Sequence, residues 1–415
     1  MKPPPLKDDC FAMPPGVDWT PVDEALDRLR AGLHPVVSTR TLPAAQAIGR
    51  VLAKDVIAAR SHPPFANSAV DGYGFAFASL PDADVIEVPL AAGRSAAGAA
   101  FDGVVAPGQA LRILTGARLP DGVDTVVLEE DCTVTADRIA FRKGLKPGAN
   151  VRAAGEDITA GDTILTQGTL LRAQEAAVIA STGVLEVPVF DPLRVGVLST
   201  GDEVVGAGAA GPTQIYDANR PMLLALVESW GYVPVDLGHV RDDADAVREK
   251  LDTAATQADV ILTSGGASAG DEDHISAVLA ASGGLQTWRI AVKPGRPLAL
   301  ALWRGVPVFG LPGNPVAAMV CTMIFGRPAM MALSGAGWRP PTTFEVPAAF
   351  SKRKKPGRRE YLRARLRDGK AEVFGSEGSG RVSGLAWAEG LVELPDGEAQ
   401  IEPGQLVKYL PFSGM

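Results

Sequence analysis

The chain is poor in cysteine and histidine and carries no excess of positive charge. Its 415 residues include 3 Cys and 4 His. Cys10, Cys132 and Cys321 lie far apart with no Cys-x-x-Cys pair, and His34, His62, His239 and His274 show no ligand spacing. That pattern excludes a readable disulfide framework and a histidine-based zinc site, and it fits a reducing, cytoplasmic compartment. Lys plus Arg number 40 against 48 Asp plus Glu, a net charge of -8, which speaks against nucleic-acid binding. Any anion site must therefore be built locally. No apolar stretch is long and uninterrupted enough to read as a membrane span; the best candidate, 316–325, has the length of a core helix. Residues 1–16 hold Pro3, Pro4, Pro5, Pro14 and Pro15 and no apolar signal core, so they read as a disordered lead.

What is present divides along the chain. Val22, Ala25, Leu26 and Leu29 have helical spacing after Asp18 or Thr20 as cap and Pro21, predicting a helix over 21–31. A second helix is expected over 44–51. From Gly72 to Arg142 short alternating runs between Gly, Pro and Asp turns read as a small β domain. Between Asn150 and Val189 a strand at 163–165 and a helix at 172–181 are expected to pack with the N-terminal helices. This gives a discontinuous α/β N-terminal domain, 17–62 and 146–192, around an inserted β domain, 63–145. Residues 193–333 alternate strand and helix, the signature of a parallel-sheet α/β domain. Short strands around turns follow in a C-terminal β domain, 334–415.

Four loops of the α/β segment carry the chemistry. Ser199-Thr-Gly-Asp-Glu203 directly follows an apolar strand, so its amides and hydroxyls suit phosphate and its acids suit a divalent cation; a solvated turn is the plain alternative. Ser264-Gly-Gly-Ala-Ser-Ala-Gly-Asp-Glu-Asp273 places Gly265 and Gly266 where a ligand could approach the backbone. Its acids are candidate Mg²⁺ ligands or helix-start residues. The run Trp288–Val292 alternates, sending Arg289 and Lys293 to one face, with Arg296 following. Leu311-Pro-Gly-Asn-Pro315 opens a long apolar helix; Asn314 as cap explains it fully, yet free first-turn amides would also suit an oxyanion. In open α/β sheets such loops gather at the carboxyl ends of the strands, where ligands bind. The basic run Lys352–Arg359 reads as a solvated loop, with Glu360, Arg363 and Arg365 able to turn part of it toward an anion.

In chain order, Asn67-Ser-Ala-Val-Asp-Gly-Tyr73, Thr115-Gly-Ala117, Gly155-Glu-Asp-Ile158 and the four loops resemble the molybdopterin molybdenumtransferase family, molybdenum cofactor biosynthesis proteins related to the C-terminal part of gephyrin. The resemblance covers nearly the whole chain after residue 17. It implies a molybdopterin-binding type of central domain and an enzyme that inserts molybdenum from molybdate into adenylylated molybdopterin, releasing AMP, with Mg²⁺ or a similar cation. It also implies a homodimer in which Asp71 and Thr115 complete the partner's site. Molybdopterin adenylyltransferase and molybdoenzymes would be functional partners.

By the same resemblance Glu203, Asp242 and Asp273 are catalytic acids and metal ligands, and Lys293 is a catalytic cation. Ser199, Thr200, Gly201, Ser264, Gly265, Gly266, Ser268, Arg289, Arg296, Pro312, Gly313, Asn314, Pro315 and Ser383, less firmly Ser379, are substrate-binding positions. Ala317 stands where the family often has Ser. Two alternative readings are a molybdopterin adenylyltransferase, which the β domains disfavour, and a non-catalytic cofactor-binding scaffold, which the full set of acids and cations disfavours.

Overall fold

The computed structural model describes residues 19–208, 210–265, 274–281, 286–295, 297–378 and 380–412. The chain forms two compact units, one of residues 41–189 and one of 1–40 with 190–415.

The second of these is built on a six-stranded sheet in the order Val233–Val240, Arg194–Thr200, Val260–Ser264, Val306–Leu311, Pro297–Trp303, Gln286–Arg289. The first four strands are parallel. Pro297–Trp303 returns antiparallel to Val306–Leu311 as a hairpin, and the edge strand Gln286–Arg289 pairs antiparallel with Pro297–Trp303. Both faces are covered, so the central strands are apolar without alternation. On one side Val195, Val197, Leu262 and Phe309 pack against Leu223 and Val227 of the helix Asn219–Ser229 and against the helical run that begins at Pro315. On the other, Leu198, Ile261 and Val308 meet Val247 and Leu251 of Ala244–Gln257 and Ile275 and Leu279 of His274–Ala281. From Arg194–Thr200 the chain crosses first to Val233–Val240 on one side, then to Val260–Ser264 on the other. A topological switch point therefore lies between Thr200 and Ser264, the place where such sheets leave a crevice.

The helical run Pro315–Leu333 is long and apolar enough to cross a membrane, yet 83% of its apolar window is buried inside the protein. It widens into a π turn at Thr322–Gly326, just ahead of Pro328, which has no amide to donate.

Two expectations change here. The helix Val22–Gly32 forms, but Val22, Ala25 and Leu29 are buried in the core of the sheet and not with the 150–189 segment. An amphipathic stripe says which face is buried and not against what. The run Trp288–Val292 is also not one strand. It leaves the sheet after Arg289, Ile290 bridges to Thr20, and Val292–Lys293 pairs in parallel with Arg359–Arg367 of the C-terminal sheet. That sheet has the order Val292–Lys293, Arg359–Arg367, Gly390–Leu394, Leu406–Pro411, Phe344–Pro347, with Lys370–Val373 beside Arg359–Arg367.

In the unit 41–189 a six-stranded sheet runs Thr125–Leu128, Gly72–Phe75, Ala110–Ile113, Val85–Ser95, Arg138–Arg142, Thr133–Val134. Phe75 and Phe141 stack at 5.3 Å in its core. A separate core gathers Leu52, Leu171, Ile179, Val187 and Val189 around the helix Ala173–Ser181. The helix expected over 44–51 shrinks to a 3-10 turn, Ala44–Gln46, because the chain turns at Gly49 with φ +83°.

Candidate functional site

The carboxyl ends of the parallel strands enclose a cavity of about 260 Å³ at the switch point, lined by Ser199, Thr200, Glu203, Asn219, Ser264 and Gly265, with Gly313 and Pro315 closing it. Close packing of backbone makes this possible. Gly265 has φ +93°, and a Cβ there would lie 2.8 Å from Thr200 Oγ1, so a larger residue would fill the gap between the two loops. Asn219, 6% exposed, ties the rim together: its Nδ2 donates to Ser264 Oγ at 2.6 Å and to the Gly313 carbonyl at 2.7 Å. Among the described residues its Oδ1 has no hydrogen-bond partner, so the crevice retains a polar group for a guest.

Asp217 fixes the start of the Asn219–Ser229 helix by accepting the amides of Asn219 and Arg220 through Oδ1. Burial would raise its pKa, but the Arg220 amide and guanidinium outweigh that and hold it below the ordinary value. Arg220 also reaches Asp236 at 2.8 Å. Beyond Tyr216 and Asp217 the crevice continues into a wider hollow of about 590 Å³ beside Arg220, Leu224 and Asp236. Together the two hollows suit a polar, elongated ligand.

The acids expected to hold a cation are only partly gathered. Glu203 is exposed and lines the smaller cavity. Asp242 sits at the end of the neighbouring strand, in a reciprocal pair: Asp202 N donates to Asp242 Oδ2 and Asp242 N to Asp202 Oδ1, both at 3.2 Å. His239 Nε2 hydrogen-bonds the Gly201 carbonyl at 2.7 Å and braces the same turn. Asp273, with Gly266, Ser268, Arg296 and Ser379, lies outside the described residues. Among the described residues no three His, Cys, Asp or Glu side chains form a metal-binding group.

A second cavity, of about 200 Å³, lies where the C-terminal sheet meets the Lys293 loop. Gly295, at φ +110°, presses that loop onto the helix after Pro315; a Cβ there would sit 3.1 Å from Cys321 Sγ and 3.7 Å from Ala317 Cβ. Lys293 Nζ meets Glu377 Oε2 at 2.8 Å and Glu360 Oε1 at 3.4 Å. Lys352 Nζ meets Glu360 Oε2 at 3.3 Å and also contacts Glu377. Burial would depress the Lys293 pKa, yet the bond to Glu377 and the charge of Glu360 leave it above the ordinary value. Arg363, 5% exposed, stacks on Phe374 and donates to the carbonyls of Ser376, Gly378 and Arg381. It thereby fixes the loop that carries Glu377.

Several readings of individual residues change. Arg289 is exposed, in a different strand from Lys293, so the two do not form one cationic face. Asn314 does cap its helix, accepting from Val316 N and Ala317 N, while Ala318 N donates to the Asn314 carbonyl. The first turn therefore keeps no spare amide at these positions for an oxyanion. Ser383 is exposed at the start of the short helix Ser383–Trp387, outside both cavity linings. The basic run is not a solvated loop: Lys354, 1% exposed, donates to the carbonyls of Lys355, Asp396 and Gly397, and Arg359 pairs with Asp23 and Asp396. Sequence reasoning missed Asn219, Ser376 and Glu377. Only the polar-Gly composition of 375–380 hinted at the last two.

In the unit 41–189, Thr115 donates its amide (2.7 Å) and its hydroxyl (2.6 Å) to Asp71 Oδ1. The Thr115 hydroxyl, then its amide, lower the pKa of Asp71 below the ordinary carboxylate value. An ionised, oriented carboxylate is thus held at the surface.

Comparison with known proteins fits this layout. Residues 20–183 match the profile described as MoeA N-terminal region (domain I and II), 196–332 a probable molybdopterin binding domain, and 345–412 the MoeA C-terminal region (domain IV). A molybdopterin molybdenumtransferase of Haemophilus influenzae is 34% identical over 400 residues, covering 94% of this chain and 98% of its own. Molybdopterin molybdenumtransferase 2 of Mycobacterium tuberculosis is 33% identical over 378 residues, covering 88% and 93%. The crystal structure of a molybdopterin biosynthesis protein, moeA, from Pyrococcus horikoshii superposes with a TM-score of 0.83 at 27% identity, over 95% of this chain and all of that one.

Proposed function

The chain belongs to the molybdopterin molybdenumtransferase family, and on that premise we propose that it moves molybdenum from molybdate into adenylylated molybdopterin, releasing AMP with the help of Mg²⁺ or a similar cation. The observation that supports this most is the adjacency of the two cavities. Pro315 lines the crevice at the strand ends and the next residue, Val316, lines the cationic cavity. A ligand laid across the start of that helix would reach both.

In this reading Ser199, Thr200, Gly201, Ser264, Gly265 and Asn219 hold the adenylylated end through hydroxyls, the side-chain amide and close backbone, with Gly313 and Pro315 as the wall. Lys293, with Lys352 and Arg363 behind it, supplies positive charge for the tetrahedral oxyanion. Glu203 and Asp242, with Asp202 beside them, offer carboxylate oxygens suited to a hard cation, and the family resemblance adds Asp273 to them. Bound there, such a cation would neutralise charge at the α-phosphate. No thiolate or imidazole nucleophile is called for, because charge neutralisation and positioning do most of the work when a phosphoanhydride is cleaved.

The proposal includes a homodimer in which Asp71 and Thr115 of one subunit serve the sheet crevice of the other, and a cytoplasmic setting in which molybdopterin adenylyltransferase supplies the substrate and molybdoenzymes take the product.

The test is to incubate the purified chain with adenylylated molybdopterin, molybdate and Mg²⁺ and to measure AMP. Asp273→Asn should keep the fold and abolish AMP release; unchanged turnover would overturn that assignment. Mixed Asp71→Asn and Asp242→Asn subunits should recover about a quarter of wild-type activity if sites are shared across a two-fold axis, and none if each site is made by one subunit.

A further inference from the structure

The ring Lys293, Glu360, Lys352, Glu377 is electrically closed. Each ammonium faces both carboxylates, so two positive charges are matched by two negative ones. An oxyanion entering the 200 Å³ cavity would find no charge left to bind in that ring and would meet two carboxylates instead. The four members are not equivalent. The side chains of Lys293, Lys352 and Glu360 are 18%, 11% and 11% exposed, and each lies on a strand. Glu377 is 48% exposed and lies in the loop after Lys370–Val373.

From this geometry we propose that Glu377 is a built-in competitor for the oxyanion, occupying Lys293 and Lys352 in the free chain and displaced outward when a tetrahedral dianion binds, which makes it an affinity-determining residue. The proposal rests on the reading of this cavity as the oxyanion subsite. With Glu377 turned to solvent, Lys293 and Lys352 share the single carboxylate of Glu360, while Arg363 also lines the cavity. These three cations against one carboxylate leave two positive charges, which match a dianion such as molybdate; with Glu377 in place only one is left. A monoanion such as chloride is matched by that one charge and has no need to displace Glu377. Glu360 stays as the fixed counter-ion that limits the positive charge of the cavity. Arg363 holds the loop on either side of Glu377 through the Ser376 and Gly378 carbonyls, so displacement requires only rotation of the Glu377 side chain.

The test is calorimetric titration of sodium molybdate into the full chain, as wild type, Glu377→Gln, Glu377→Asp and Lys293→Met, with sodium chloride as the monoanion control. Glu377→Gln nearly preserves shape and should tighten molybdate binding about tenfold if the competing state is populated about nine parts in ten. Glu377→Asp, one methylene shorter, should fall between it and wild type. Chloride should compete less well with molybdate in Glu377→Gln than in wild type. Equal or weaker molybdate binding by Glu377→Gln, in a wild type that binds, would overturn the competitor role while leaving the oxyanion subsite intact. Undiminished binding by Lys293→Met, or no binding by wild type and Glu377→Gln alike, would overturn the subsite and this proposal with it.

Discussion

Replacing Asn219 by alanine should loosen the crevice before it unfolds the protein. Two hydrogen bonds are lost, to Ser264 Oγ and to the Gly313 carbonyl, each worth about 0.5–1.5 kcal/mol net. Left wholly dry, the two orphaned acceptors would add about 1–3 kcal/mol each. They border a cavity of about 260 Å³, however, and water can enter to satisfy them. The lower figure should therefore win: a loss of about 2 kcal/mol, lowering the melting transition of the sheet-containing unit by about 4–8 °C. Function should suffer more, because Asn219 sets the spacing of three chain segments, and a shift near 1 Å in a positioning element can cost about a hundredfold. The assay pairs thermal unfolding with kcat/KM for AMP release. Asn219→Asp sharpens the test. Its carboxylate cannot donate to Gly313, and as an unpaired buried charge it should destabilise more than alanine does, increasingly as pH rises and the group ionises. If Asn219→Ala melts and turns over like wild type, the bridge does not organise the site.

The remaining predictions concern other parts of the molecule. Arg363→Lys keeps the charge but loses the planar fork that reaches three carbonyls; KM for molybdate should rise and the 374–381 backbone should exchange amide hydrogens faster, and protection equal to wild type would contradict the assignment. Glu175, hydrogen-bonded by the side chain of Arg172, has its pKa lowered to about 2 from 4.5. A depressed carboxylate stabilises fully above its unfolded value and loses that contribution as pH falls through the folded one. Stability of the unit 41–189 should therefore decline between about pH 4.5 and 2, and Glu175→Gln should flatten that slope in denaturant titrations. Cys321 is fully buried, with burial pushing its thiol up to about 12. In a Cys10→Ser chain it should resist thiol reagents until denaturant is added, and rapid native labelling at Cys321 would refute the packing around Gly295.

Much of the crevice was legible because its loops are made of residues whose backbone demands are visible in sequence. Gly265, Asn314 and Pro315 announce a close approach, a cap and a helix start wherever they occur after an apolar run. The cationic cavity was not legible in that way. Lys293 reads as a cation in need of an anionic partner, and Glu360 and Arg363 as able to turn part of the basic run toward an anion, but Lys293, Lys352, Glu360 and Glu377 come from three separate strands and a loop, and nothing local shows that they meet. Lys354 misled, since nothing in a basic run shows that one member will be buried against three carbonyls. The edge strand misled for a different reason: alternation at 288–293 records a strand's two faces and is silent on which sheet it joins.

By itself, the sequence determined the alternation of strand and helix, the loops at the strand ends, the capping of the helix at Asn314 and the family to which the chain belongs, because each rests on local spacing or on motifs in order. Tertiary structure alone decided which sheet Val292–Lys293 enters, which core buries the helix Val22–Gly32, and that Asn219 bridges two loops. It also decided that Lys293 faces two glutamates. These are pairings between residues distant in the chain, and their energies come from burial and charge proximity that exist only once the backbone has folded.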